Sequence, residues 1–145
     1  MRDEAWRRDN IGRLLNDAAR AFEAQVLDYL ARAGHDGLGA THINVTRNLD
    51  SAGTRLTELA RRAAMTKQSM GELVRQMEAL GYLRRDADPQ DGRAQIVRFT
   101  AKGAAWLKAF RRALRRAEAD MTARLGAGTV LALRQSLQRY RGDVL

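Results

Sequence analysis

"AAMTKQSMGELV", residues 63–74, reads as a tight joint running into the start of a helix. Thr66 is a good N-cap, because its hydroxyl can accept from a free backbone N–H in the first turn. The residues behind it are unusual. A helix start carries partial positive charge and favours Asp or Glu. Lys67, Gln68 and Ser69 offer a cation and hydrogen-bond donors instead. Further along, Met70, Leu73, Val74, Met77 and Leu80 form an inward stripe, and Gly81 stops the helix. At about 100° per residue the opposite face carries Gln68, Glu72, Arg75 and Ala79, with Gly71 on its flank. A helix entering the major groove of DNA needs such a face, polar in places and small in others. Many solvated helices look similar, so the neighbouring segments decide.

Upstream, Thr57 caps a short helix, "ELARRAA" (58–64), with Leu59 and Ala63 facing inward. Downstream, "YLRR" (82–85) and "RAQIVRFT" (93–100) read as strands around the turn-rich "DADPQDG" (86–92). Two short helices, a tight joint and a hairpin make a winged helix-turn-helix.

The flanks are long helices. Residues 4–33 read as one helix with the stripe Ile11, Leu15, Ala18, Phe22, Val26 and Leu30. "GHDGLG" (34–39) ends it, and Thr41 caps a short helix to about Leu49, followed by a turn at "DSAG" (50–53). Thr100 caps a helix over 101–125, striped by Leu107, Phe110, Leu114, Ala117, Met121 and Leu125. "GAG" (126–128) breaks it, and a last helix runs from Thr129 to Arg141. The fold class expected is mainly α with a small β-hairpin wing. One domain, 1–145, divides into a DNA-binding core at 38–100 and dimerisation helices at 1–37 and 101–145. Apolar stripes this long want partner helices, and a second copy of the chain is the economical source.

Composition narrows the function. The chain has 145 residues, 45% hydrophobic, with one proline, no cysteine and a net charge of +9. So basic a chain often meets a polyanion. No apolar run reaches the roughly 18 residues of a membrane span, and "MRDEAWRRDN" has no signal-peptide stretch, so a cytoplasmic protein is expected. Nucleophile, P-loop, H-E-x-x-H and G-x-G-x-x-G motifs are all absent, which argues against an enzyme. His35 and His42 flank a glycine loop, too few ligands for a metal, and no cofactor is expected.

For DNA the chemistry divides by groove. Thr66, Lys67 and the free N–H groups of the first turn form a phosphate-binding end. Gln68 suits bidentate pairing with adenine, Ser69 serves several acceptors, and Arg75 reaches a phosphate or a guanine. Glu72 accepts from cytosine or holds Gln68 or Arg75 in place. At the hairpin tip, Asp91 and Gly92 make the turn and Arg93 leaves it, placed for a narrow minor groove and braced by Asp91. "RRALRR" (111–116) is a solvated basic face that could touch flanking DNA. Two rivals stand beside a sequence-specific repressor: an architectural DNA-binding dimer with little sequence preference, and a helical scaffold that does not bind DNA. Tyr29, His42 and Trp106 are candidates for lining a ligand pocket.

Residues 55–103 resemble the winged core of MarR-type regulators, the multiple antibiotic resistance regulator family. The matching stretches are L-T-E-L-A, T-K-Q-S, L-x-x-x-G-Y-L, D-P-x-D-G-R and the helix start T-x-K-G. The resemblance implies a homodimer with intertwined terminal helices. It implies major-groove reading by Lys67, Gln68, Ser69 and Gly71, and minor-groove insertion of Arg93 braced by Asp91. It also implies release from DNA by a small aromatic acid or phenol bound between the dimer helices and the winged core. Gly71 and Glu72 depart from the polar and basic residues common there. The lack of cysteine excludes thiol-based peroxide sensing.

Overall fold

The computed structural model describes residues 4–144. Its order is α1 (Ala5–Arg8), α2 (Ile11–Arg32), α3 (Ala40–Asn48), β1 (Thr54–Arg55), α4 (Leu56–Arg62), α5 (Lys67–Ala79), β2 (Leu83–Ala87), β3 (Gln95–Phe99), α6 (Ala101–Leu125) and α7 (Ala127–Val144).

The expected first helix is split. Asn10 starts α2 by accepting from the Arg13 N–H at 2.9 Å, and its amide donates back to the Trp6 carbonyl at 2.8 Å. That cap lies inside an unbroken apolar pattern, and periodicity alone passes over it. Another cap differs as well. α3 begins after Gly39, not at Thr41, with His42 Nδ1 accepting from the Gly39 N–H at 2.9 Å.

A third strand joins the hairpin, giving the antiparallel order β1-β3-β2. β1 pairs Thr54 with Val97 and Arg55 with Ile96. It therefore holds Arg55 extended, and α4 starts at Leu56 without a side-chain cap. Thr57, the expected cap, lies inside the first turn. β2 and β3 pair from Leu83–Phe99 to Ala87–Gln95.

The joint between α4 and α5 is a Schellman turn. Ala64 N–H donates to the Arg61 carbonyl and Met65 N–H to the Ala60 carbonyl, at 3.1 and 2.9 Å. The same bonds close α2 at Gly34 and α5 at Gly81, both at positive φ. At the α4 joint the left-handed position is filled by Ala64, with φ 54°.

Leu30, Ile43, Leu59, Met70, Val74, Met77, Val97 and Trp106 form the centre of the core. Burying each such side chain is worth about 1.5–3 kcal/mol. Leu80, expected inward, is the C-cap of α5 and is exposed. On α6 the buried line is Gly103, Trp106, Ala109, Ala113 and Ala117. Of the expected stripe only Ala117 belongs to it; Leu107, Phe110, Leu114 and Met121 are half-buried and Leu125 is exposed. Small residues let α6 lie close to its neighbours, and Gly103 sits so near the Tyr82 carbonyl that no Cβ would fit.

Candidate nucleic-acid interface

Helix α5 presents the face that the sequence marks. Thr66 caps it, its Oγ1 accepting from the Ser69 N–H at 3.0 Å and donating to the Ser69 hydroxyl at 2.9 Å. Such a cap contributes about 1 kcal/mol. Lys67, Gln68, Ser69, Glu72 and Arg75 are all exposed. The side chains of Lys67 and Gln68 have no protein partner among the described residues, and Ser69 keeps its own proton to donate. Arg75 is engaged: its Nη2 lies 2.7 Å from Glu72 Oε2. That contact holds the Glu72 carboxyl below the usual Glu range, mainly through the hydrogen bond from Arg75. Gly71 lies on the flank of the open face, its backbone covered. It is buried, and a Cβ there would meet only the Arg75 guanidinium, at 4.0 Å.

The hairpin tip is built by two carboxylates. Asp88, buried, accepts from the Gln90 N–H at 2.9 Å and from Arg55 Nε at 2.7 Å. These contacts, the Gln90 N–H first, hold its carboxyl below the usual range despite burial. Asp91 accepts from the backbone N–H of Arg93 at 3.1 Å. Asp91 thus shapes the turn; the expected brace on the Arg93 side chain is not made. Gly92 and Arg93 are exposed, and the Arg93 guanidinium has no partner among the described residues. Arg84, Arg85 and Arg98 at the base of the hairpin are tied instead to Asp86 and Glu78.

Between the start of α5 and the tip lies a cleft of about 440 Å³, lined by Arg55, Thr57, Lys67, Asp91, Arg93 and Gln95. Recognition helix and wing therefore share one cationic concavity. The sequence marked Lys67, Asp91 and Arg93. Arg55, Thr57 and Gln95 carried no binding signal, since nothing local links position 55 to the tip.

The three proposed pocket residues are not brought together. Trp106 is sealed in the core and stacks on Phe110 with ring centroids 4.8 Å apart. Tyr29 donates to Asp120 beneath the Arg116 guanidinium, and the Asp120 bond raises its pKa. His42 joins the start of α3 to α5, with Nε2 2.9 Å from Gln76 Oε1. None of the three lines the apolar cavity of about 390 Å³ that Phe22, Val26, Ile43, Phe110 and Leu114 enclose with Arg47 at its edge. His35 meets the Tyr82 hydroxyl, and no group of three or more acidic or imidazole side chains among the described residues could hold a metal. Nor is any described helix long and apolar enough to cross a membrane.

The sequence profile of the MarR family matches residues 36–94. The HTH-type transcriptional repressor Rv2887 of Mycobacterium tuberculosis is 33% identical over 93 residues, covering 64% of this chain and 67% of the relative. Its crystal structure with salicylic acid superposes with a TM-score of 0.68 at 28% identity, over 91% of this chain and 96% of that one. A probable transcriptional regulator from Pseudomonas aeruginosa gives 0.71 at 27% identity, over 91% and 97%. The repressor CouR, solved on a 23-mer DNA duplex, shares the fold with a TM-score of 0.77 at 23% identity, over 97% and 99%. The chain belongs to the MarR family: it is a winged helix-turn-helix transcriptional regulator, not an enzyme.

Proposed function

We propose that the protein is a homodimeric repressor of a pseudo-palindromic operator. In this reading each copy lays α5 in a major groove and the Arg93 tip in the adjoining minor groove. Half-sites then lie about one helical turn apart, set by the two-fold axis. The observation that carries the reading is the opening of α5 and the tip onto one cleft, with Lys67, Gln68 and Arg93 all exposed and uncommitted. Gln68 and Ser69 are assigned to base edges, Thr66 and Lys67 to phosphate, and Arg75 stays with Glu72 as an outer contact.

Exposed apolar side chains support the second copy. Trp6, Ile11, Leu14 and Leu15 on the N-terminal helices, and Leu125, Leu131, Leu133, Leu137 and Tyr140 towards the C-terminus, stand out from one protomer. Exposed apolar side chains gathered on the terminal helices are what a partner surface would cover. The segments 1–37 and 101–145 are accordingly assigned to dimerisation and 38–100 to DNA.

An aromatic effector is the second part of the proposal. The salicylic acid bound to the Mycobacterium tuberculosis relative supports a small aromatic acid as ligand class. The cavity beside Phe22 and Phe110 has the right scale and apolar character for one.

Selection of duplexes from a randomised pool tests the function, followed by titration across salt. A palindromic consensus bound at about 10⁻⁸–10⁻¹⁰ M is the expected outcome. Binding all duplexes alike would leave an architectural protein, and binding none would leave a scaffold. Sedimentation at micromolar concentration should give a dimer; a monomer would defeat the operator geometry.

A further inference from the structure

The major and minor grooves of a duplex are walled apart by a sugar–phosphate strand. A protein with α5 in one groove and the hairpin tip in the next must straddle that strand. The cleft between the two elements is where the strand would run, and its walls are cationic: Arg55, Lys67 and Arg93 against the single carboxylate of Asp91.

Arg55 differs from the other two in being held. Its Nε and Nη2 lie 2.7 and 2.5 Å from one oxygen, Oδ2 of Asp88. The Asp88 side chain is 7% exposed, that of Arg55 47%. Asp88 is itself anchored through its other oxygen by the Gln90 N–H. β1 pairing fixes the Arg55 backbone against Ile96. A guanidinium has five N–H donors, and Asp88 engages two of its nitrogens. Its remaining donors are not taken by Asp88, and the exposed residues Arg55 and Thr57 both line the cleft.

We propose that Arg55 is a phosphate clamp on the DNA strand that runs between the two grooves, with Asp88 as its positioning residue and Thr57 beside it. This rests on the DNA-binding reading above. A clamp on phosphate carries no base information, so it sets affinity and register without setting sequence preference.

The test uses the full-length protein and two fluorescein-labelled duplexes of about 30 base pairs: the sequence that wild-type protein selects from a randomised pool, and a mixed-sequence control. Arg55→Gln should weaken both by a similar factor, about tenfold, and make the slope of log K against log salt shallower by about 0.9. Arg55→Lys should restore most of that slope. A methylphosphonate scan of the selected duplex should show wild-type losing affinity at a phosphate between the two grooves. Arg55→Gln should lose nothing further at that position. Thermal melting accompanies each variant. Should Arg55→Gln fail to fold, Thr57→Val and the wild-type scan carry the test alone. An unchanged salt slope, additive losses, or no sensitive phosphate between the grooves overturns the clamp while leaving selective DNA binding intact. A wild-type protein that selects no duplex overturns both.

Discussion

The Arg75 guanidinium rests on the Glu72 carboxylate, Nη2 to Oε2 at 2.7 Å, on the outer face of the recognition helix. An acid beside DNA is unfavourable unless a cation holds it, and this one is held three residues on along the helix. The pair is exposed, so salt and solvent screen it. Its stronger effect is on what each partner offers a duplex. Glu72→Gln removes a negative charge from the approach to DNA and frees Arg75 for phosphate. Affinity for unselected duplex should rise about tenfold while the specific-to-nonspecific ratio falls. Fluorescence anisotropy at fixed salt measures both, and an unmoved ratio would place Glu72 away from the groove.

Arg93 stands on the hairpin tip that Asp91 shapes, its guanidinium without a partner among the described residues. Arg93→Ala should therefore cost about 1–3 kcal/mol of DNA affinity with no change in melting temperature. Retention of full affinity would take the wing out of the minor groove. Because Asp91 holds the backbone of residue 93, Asp91→Ala should weaken binding too, by loosening the turn.

Ala64 occupies the left-handed position of the α4–α5 joint, where α2 and α5 each use glycine. For an alanine that conformation costs about 1–2 kcal/mol. Glycine there sheds that cost and gives back about 0.5–1 kcal/mol through a more flexible unfolded chain. Ala64 is exposed, so its methyl buries little. Ala64→Gly should raise stability by up to about 1 kcal/mol, or about 2–4 °C in melting temperature. A lower melting temperature would show that the joint depends on the alanine.

Glu58 supplies the pH prediction. It accepts from Arg61 at 2.6 and 2.8 Å and from Arg62 at 3.1 Å, which lowers its pKa from 4.5 to about 2. A depressed carboxylate stabilises the fold above its ordinary pKa, and that contribution disappears as pH falls through the folded value. The stability difference between wild-type and Glu58→Gln should accordingly be full at neutral pH and vanish between about pH 4.5 and pH 2. Carbon-detected NMR titration of the Glu58 carboxyl checks the midpoint directly; an ordinary Glu titration would mean the two arginines do not hold it in solution.

Local signals were enough for α5 and its surroundings. Thr66 and Thr100 cap the helices expected of them, Gly34 and Gly81 end theirs, and the turn-rich stretch separates two paired strands, though β2 runs on through Asp86 and Ala87 into the expected turn. Each of these depends on neighbours within four or five positions, so residue type and spacing suffice. The exposed row Lys67, Gln68, Ser69 follows from the same helical arithmetic.

What escaped that arithmetic joins residues far apart in the chain. β1 exists only because Thr54 and Arg55 meet Val97 and Ile96, and Arg55 reaches Asp88 across the sheet. Trp106 went to the core rather than to a pocket, and His42 to Gln76 of the recognition helix. The periodic stripe along α6 predicts one buried face, whereas the folded chain seals Gly103, Trp106 and the alanines and leaves Phe110 and Leu114 half-covered. Periodicity says that a helix has an apolar side; only the space left by its neighbours decides which residues of that side are sealed and which remain for a partner.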